Sequence, residues 1–125
     1  MNLGFFPDFK GSDSVLLSGD PAEITFLSRQ LRQFVLSGDA LLQVHNFVDV
    51  SPQYPAQLLA SKLGQGMDFA YIWPCSPDEF ETIQPKLESL AMSSFGHQYF
   101  DLANSRARLI VSVGEYDKSW WQAHS

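Results

Sequence analysis

The chain has 125 residues, 45% of them apolar, with fourteen acidic and eight basic side chains and a formal charge of −6. That is enough for one α+β domain, 1–125, to bury a core without staples, and the apolar share argues against wholesale disorder. The acidic balance, with its basic residues scattered, argues against a nucleic-acid backbone as partner and favours a basic protein partner or simply solubility.

No apolar run approaches the length of a membrane span, and Met1 to Lys10 lack the basic start and cleavage site of a secretory signal. One cysteine, Cys75, excludes an internal disulfide framework, so a cytoplasmic setting is expected.

In chain order, Met1 to Gly11 hold Phe5, Phe6 and Phe9 around Pro7, too many aromatics for a free tail. They are expected to lie on the domain or on a partner. A first strand is expected near Ser14 to Ser18, then a helix from Pro21 to about Ser37, with Gly38 placed to end it in the left-handed conformation. A second strand is expected from about Ala40 to Val50. Ser51 to Pro55 break regular structure, and Ala56 to Leu63 read as a short helix closed by Gly64 or Gly66. The third strand is Met67 to Trp73, followed by a helix from Pro77. Pro85 inside it removes an N–H and clashes with the preceding turn, which predicts a kink or a break near Gln84. Strands from His97 to Ala103 and from Arg108 to Tyr116 flank a turn at Asn104 and Ser105, and a last helical turn spans Asp117 to Ala123.

Two stretches share one plan. Asp20-Pro21-Ala22-Glu23 and Ser76-Pro77-Asp78-Glu79 each offer an N-cap oxygen, a proline at the first helical position and a glutamate at the third. Ile24, Leu27, Leu31 and Phe34 then match Phe80, Ile83, Leu87 and Leu90 as one apolar stripe per helix. Each helix is followed by His, aromatic and Asp at alternate positions: His45, Phe47 and Asp49, then His97, Tyr99 and Asp101. The order βαββαβ plus a C-terminal strand is that of a ferredoxin-like two-layer sandwich, with both helices on one face of a mainly antiparallel sheet. The two histidine strands would then be the edges of its four-strand core.

His45, Asp49, His97 and Asp101 are the residue types of metal and acid–base sites, but the spacing works against one centre. Four residues along a strand span roughly 13 Å, and three strand spacings add about 14 Å across the sheet. Cys75 precedes a helix cap, where a thiolate is favoured, yet a small buried side chain at a strand end is the simpler reading. Ser18-Gly19-Asp20 and Gly64-Gln65-Gly66 are no phosphate-binding pattern, and no nucleophile elbow, zinc knuckle or nucleotide motif is present. No catalytic residue, metal or cofactor is therefore assigned.

The expected function is a non-catalytic, acidic protein-binding domain, in concrete form a bacterial inhibitor of the immunity-protein kind that occludes a basic toxin or enzyme. Candidate contact residues are Asp49, Tyr54, Tyr99, Asp101, Glu115, Asp117, Trp120 and Trp121, since rigid aromatics with carboxylates suit a binding hot spot for a basic surface. Of the adjacent tryptophans, one is expected to seal the core while the other meets a partner. The alternative is a dimeric ferredoxin-like protein or enzyme that takes a small molecule on its open sheet face through His45, Phe47 and His97. A subunit of a larger assembly is a third reading.

Overall fold

A computed structural model of the chain describes residues 1–63 and 69–124. The elements run β1 (Asn2–Phe9), β2 (Ser12–Gly19), α1 (Pro21–Leu36), β3 (Leu41–Gln43), a 3-10 turn (Val44–Phe47), β4 (Asp49–Val50), β5 (Leu58–Ser61), β6 (Tyr71–Pro74), α2 (Pro77–Ala91), β7 (Gly96–Asp101), β8 (Arg108–Val113) and α3 (Lys118–Ala123).

The chain is α+β. Five strands form a mixed sheet in the order β4-β1-β2-β8-β7, and three form a second sheet, β3-β5-β6. In the larger sheet β1/β2 and β7/β8 are antiparallel, while β1/β4 and β2/β8 are parallel. The sheets meet where the Ala103 N–H donates to the Ile72 carbonyl, 2.8 Å away. A ferredoxin-like order is not what is found, because the first strand pairs with an N-terminal neighbour and the middle of the chain builds its own sheet.

Strand alternation explains both faces of the larger sheet. Leu3, Val15, Leu17, Leu109, Val111 and Val113 point to the main core, where the α1 stripe (Ile24, Leu27, Leu31, Phe34) and the α2 stripe (Phe80, Ile83, Leu87, Leu90) lie buried. The second sheet contributes Leu58, Ala60 and Trp73 to that core. Contacts across it include Phe5 stacked on Tyr71 at 5.1 Å and Trp73 against Phe100 at 5.3 Å between ring centroids. The opposite face carries Phe6, Leu16 and Ile110, which α3 covers with Trp121. The Trp121 indole N–H donates to the buried Ser18 Oγ at 2.6 Å.

Both helices start at the expected cap and proline, and the full capping box forms in α1 but not in α2. Asp20 Oδ1 accepts from the Glu23 N–H at 2.8 Å, and Glu23 Oε1 accepts from the Asp20 N–H at 3.0 Å, a full capping box. At α2 the Ser76 Oγ accepts from the Glu79 N–H and donates to the Glu79 carboxylate.

The aromatic N-terminal stretch lies on the domain: residues 2–9 are an inner strand between β4 and β2, and Pro7 sits at a register break between Phe6 and Phe9, where a missing N–H costs no ladder bond. Four local expectations are corrected. The stretch from Ala40 to Val50 is not one strand: it crosses from one sheet to the other through the 3-10 turn that carries His45 and Phe47. Leu58–Ser61 is a strand, not a helix, and all four of its residues are buried. Such a short, continuous apolar run fits either state until its neighbours choose. Helix α2 continues unbroken through Pro85, which is exposed, as is Glu81 four residues earlier, so the carbonyl that loses its partner lies on the water side. Ser37, in extended backbone, ends α1 by returning its N–H and hydroxyl to the Phe34 carbonyl, so Gly38 takes no left-handed role. The proposed closure at Gly64 or Gly66 and the start of the third strand at Met67 lie outside the described residues.

Candidate functional site: an acidic crevice between two parallel strands

Strands β2 and β8 are parallel neighbours, yet the helices that follow them leave to opposite faces: α1 joins the main core and α3 packs on the other side. Where adjacent parallel strands send their connections apart, the chain opens a crevice at their carboxyl ends. Here that crevice has a volume of about 550 Å³. Ser18, Gly19, Val113 and Gly114 line it together with Asp20, Glu23, Asp49, Asp117 and Lys118, and among the described residues Lys118 makes no ion pair with these carboxylates.

These four carboxylates are not equivalent. Asp20 and Glu23 serve the α1 cap, and Glu23 also holds the Met1 amine. Asp117 caps α3 by accepting from the Trp120 N–H at 2.8 Å. Asp49 is exposed, and among the described residues its carboxylate has no partner. Its backbone places it: the Asp49 N–H donates to the Met1 carbonyl, and Asp49 stands opposite Asn2 in β1. Crowding of carboxylates around a recess concentrates negative potential there, which favours an incoming cation.

The remaining contact candidates divide by surroundings. Tyr54 and Trp120 join Phe6, Phe9 and Tyr116 in an aromatic cluster over the outer sheet face, with Tyr54 4.8 Å and Trp120 5.4 Å from Phe6 between ring centroids. Trp120 also stacks on His124 at 4.0 Å, and Lys10 lies over Phe9 and Tyr116. The Tyr116 hydroxyl beside it holds the Lys10 ammonium above its ordinary pKa. Trp121 is buried, while Trp120 keeps part of its ring in water.

Glu115 is engaged within the protein: one carboxylate oxygen accepts from Ser112 Oγ at 2.7 Å and from His97 Nδ1 at 2.8 Å. A carboxylate only accepts, so this contact fixes the proton on Nδ1. Tyr99 lies beneath the Arg108 guanidinium, 4.4 Å from its ring centre, and shares with Asp101 a second cleft of about 570 Å³ between β7 and α2. On that edge strand Lys86 Nζ donates to the Tyr99 carbonyl at 3.1 Å.

The other ligand set is not brought together. His45 and Phe47 sit on the turn between β3 and β4, where Phe47 packs edge-on against Phe26, and His97 stands on β7. Strands β4 and β7 are the two edges of the five-stranded sheet, separated by four spacings, roughly 19 Å. Among the described residues no group of three or more His, Cys, Asp or Glu is placed to hold a metal ion. Cys75 is buried, and desolvation, reinforced by the charge of Glu79, pushes its thiol up to about 12, the opposite of an activated nucleophile.

In the sequence Asp20 and Glu23 read only as helix-capping residues, and Lys118 belongs to no motif. The signal that was available is the pairing of a capped α1 with a capped α3 on neighbouring strands, which requires knowing that β2 and β8 are parallel. No protein-family model, curated protein or solved structure matches this chain. No helix of the described residues is long and apolar enough to cross a membrane.

Proposed function

We propose that the protein is an acidic binding domain whose crevice at the ends of β2 and β8 receives a basic side chain of a protein partner, in the manner of an immunity-type inhibitor that occludes a basic toxin or enzyme. The observation that carries this reading is the convergence of Asp49 and Asp117, 68 positions apart in the chain, on one recess with Asp20 and Glu23. Four carboxylates line the recess beside two cations, Lys118 and the Met1 ammonium that Glu23 holds, and the unpartnered Asp49 is the group best placed to meet an incoming cation. Tyr116 on its wall, with Trp120 beside it at 4.7 Å, adds rigid aromatic area of the kind that anchors interfaces.

The reading is tested by affinity capture from the native host with the wild-type chain and with Asp49→Lys/Asp117→Asn, in which asparagine keeps the α3 cap while removing its charge. A basic protein retained by the wild type and lost from the variant supports it, and rescue of growth on co-expression identifies a toxin partner. A wild-type chain that captures no basic protein, or one retained equally by the variant, sinks the idea.

A further inference from the structure

The water side of the α1–α2 contact is not closed. A groove of about 250 Å³ runs between the helices, walled by Thr25, Ser28, Arg29 and Arg32 of α1 and by Gln84 and Glu88 of α2. It shares no residue with the acidic crevice.

Two features of this groove have no use in the fold. Ser28 is only 9% exposed, yet among the described residues its hydroxyl makes no hydrogen bond. That hydroxyl stays open to water in the groove, since the buried side-chain polar atom without a partner among the described residues is His45 Nδ1, yet a serine in a helix readily returns its proton to the carbonyl one turn back. Its neighbour Thr25 does so, donating to the Pro21 carbonyl at 3.1 Å. Arg29 and Arg32 stand three residues apart and therefore on adjoining positions of one helix surface. Both are exposed, and among the described residues neither makes an ion pair or hydrogen bond, although acids outnumber bases fourteen to eight in the chain. Lys62, Lys86 and Arg108, by contrast, each reach a backbone carbonyl.

We propose that this groove binds a small oxyanion of the phosphate or carboxylate type. Arg29 and Arg32 supply planar, charge-assisted donors, Ser28 Oγ supplies a third donor from the floor, and the Gln84 amide a fourth from the facing helix. Glu88 is the one carboxylate on the walls, so two positive charges face one negative. Size sets the ligand class: 250 Å³ is below the 300–1,000 Å³ usual for drug-sized ligands, which selects a compact anion over a nucleotide.

The test titrates the full chain with inorganic phosphate, and separately with malonate, at constant ionic strength held with chloride, following the Ser28 backbone amide and the Gln84 side-chain amide by NMR. The expected result is a saturable shift of both signals by at least one of the two anions. In Arg29→Gln/Arg32→Gln, which changes exposed side chains only, the affinity falls by about tenfold or more, and Ser28→Ala weakens it several-fold. Tighter binding of phosphate identifies a phosphate ligand, and tighter binding of malonate a carboxylate. Failure of both anions to saturate, or saturation that survives loss of both arginines, overturns the proposal.

Discussion

Truncation of Trp121 to alanine tests whether α3 closes the outer face of the sheet. The side chain is 5% exposed and packs with Phe6, Leu16 and Ile110, and its N–H is bonded to Ser18, itself 2% exposed. Removing a buried aromatic of this size costs about 3–5 kcal/mol, and a serine hydroxyl left dry adds about 1–3 kcal/mol unless water fills the cavity. Taking the lower end of that sum, about 4 kcal/mol, an unfolding entropy of about 2.1 cal/mol/K per residue puts the fall in Tm at about 15 °C or more. Trp121→Phe keeps most of the apolar volume and loses mainly the hydrogen bond, so it costs about 1–2 kcal/mol. Urea unfolding followed by far-UV circular dichroism measures both. A loss below about 1 kcal/mol for Trp121→Ala, or equal losses for the two variants, would refute the packing argument.

Asp20→Ala removes one half of the α1 capping box and is expected to cost about 1 kcal/mol, read as a lower urea midpoint at unchanged slope. Gly114 has φ +75 and a Cβ there would meet the Ser94 carbonyl oxygen, so Gly114→Ala loses at least about 2 kcal/mol, checked by the same unfolding curve. The buried Cys75 thiol binds its proton more tightly folded than unfolded, so stability falls as pH rises from its ordinary value of 9 towards about 12. The slope is at most about 1.4 kcal/mol per pH unit and is absent in Cys75→Ala, which paired thermal melts across that range resolve. Native Cys75 also resists iodoacetamide at pH 8 and reacts only after denaturant is added, as mass spectrometry shows.

What the sequence reveals and conceals follows from the range of each interaction. The caps at Asp20 and Ser76 and the stripes from Ile24 to Phe34 and from Phe80 to Leu90 are local, and they read directly from spacing. Strand partners are not local. Residues 2–9 pair with β2 across a turn that needs left-handed backbone at Lys10 as well as at Gly11, and through a register break at Pro7 and Asp8, so Gly11 is the local sign of the hairpin and the non-glycine positions give none. His45 and Phe47 follow strand alternation on paper, but the chain has to cross between sheets at that point and uses a 3-10 turn to do it. The crevice was half legible: Asp49 and Asp117 stood out as exposed acids, whereas their meeting depends on β2 and β8 lying side by side and parallel.

The most direct test of the account is the ionic-strength dependence of association between the wild-type chain and its captured basic partner, measured by stopped flow. Beside it stand Asp49→Lys/Asp117→Asn and the charge-matched control Asp39→Lys/Glu81→Gln, whose positions lie outside the crevice. The account predicts that the wild-type and control rates fall together as salt rises, while the crevice variant associates about tenfold or more slowly at low salt and responds weakly to it. Equal rates and equal salt slopes for all three proteins would contradict it.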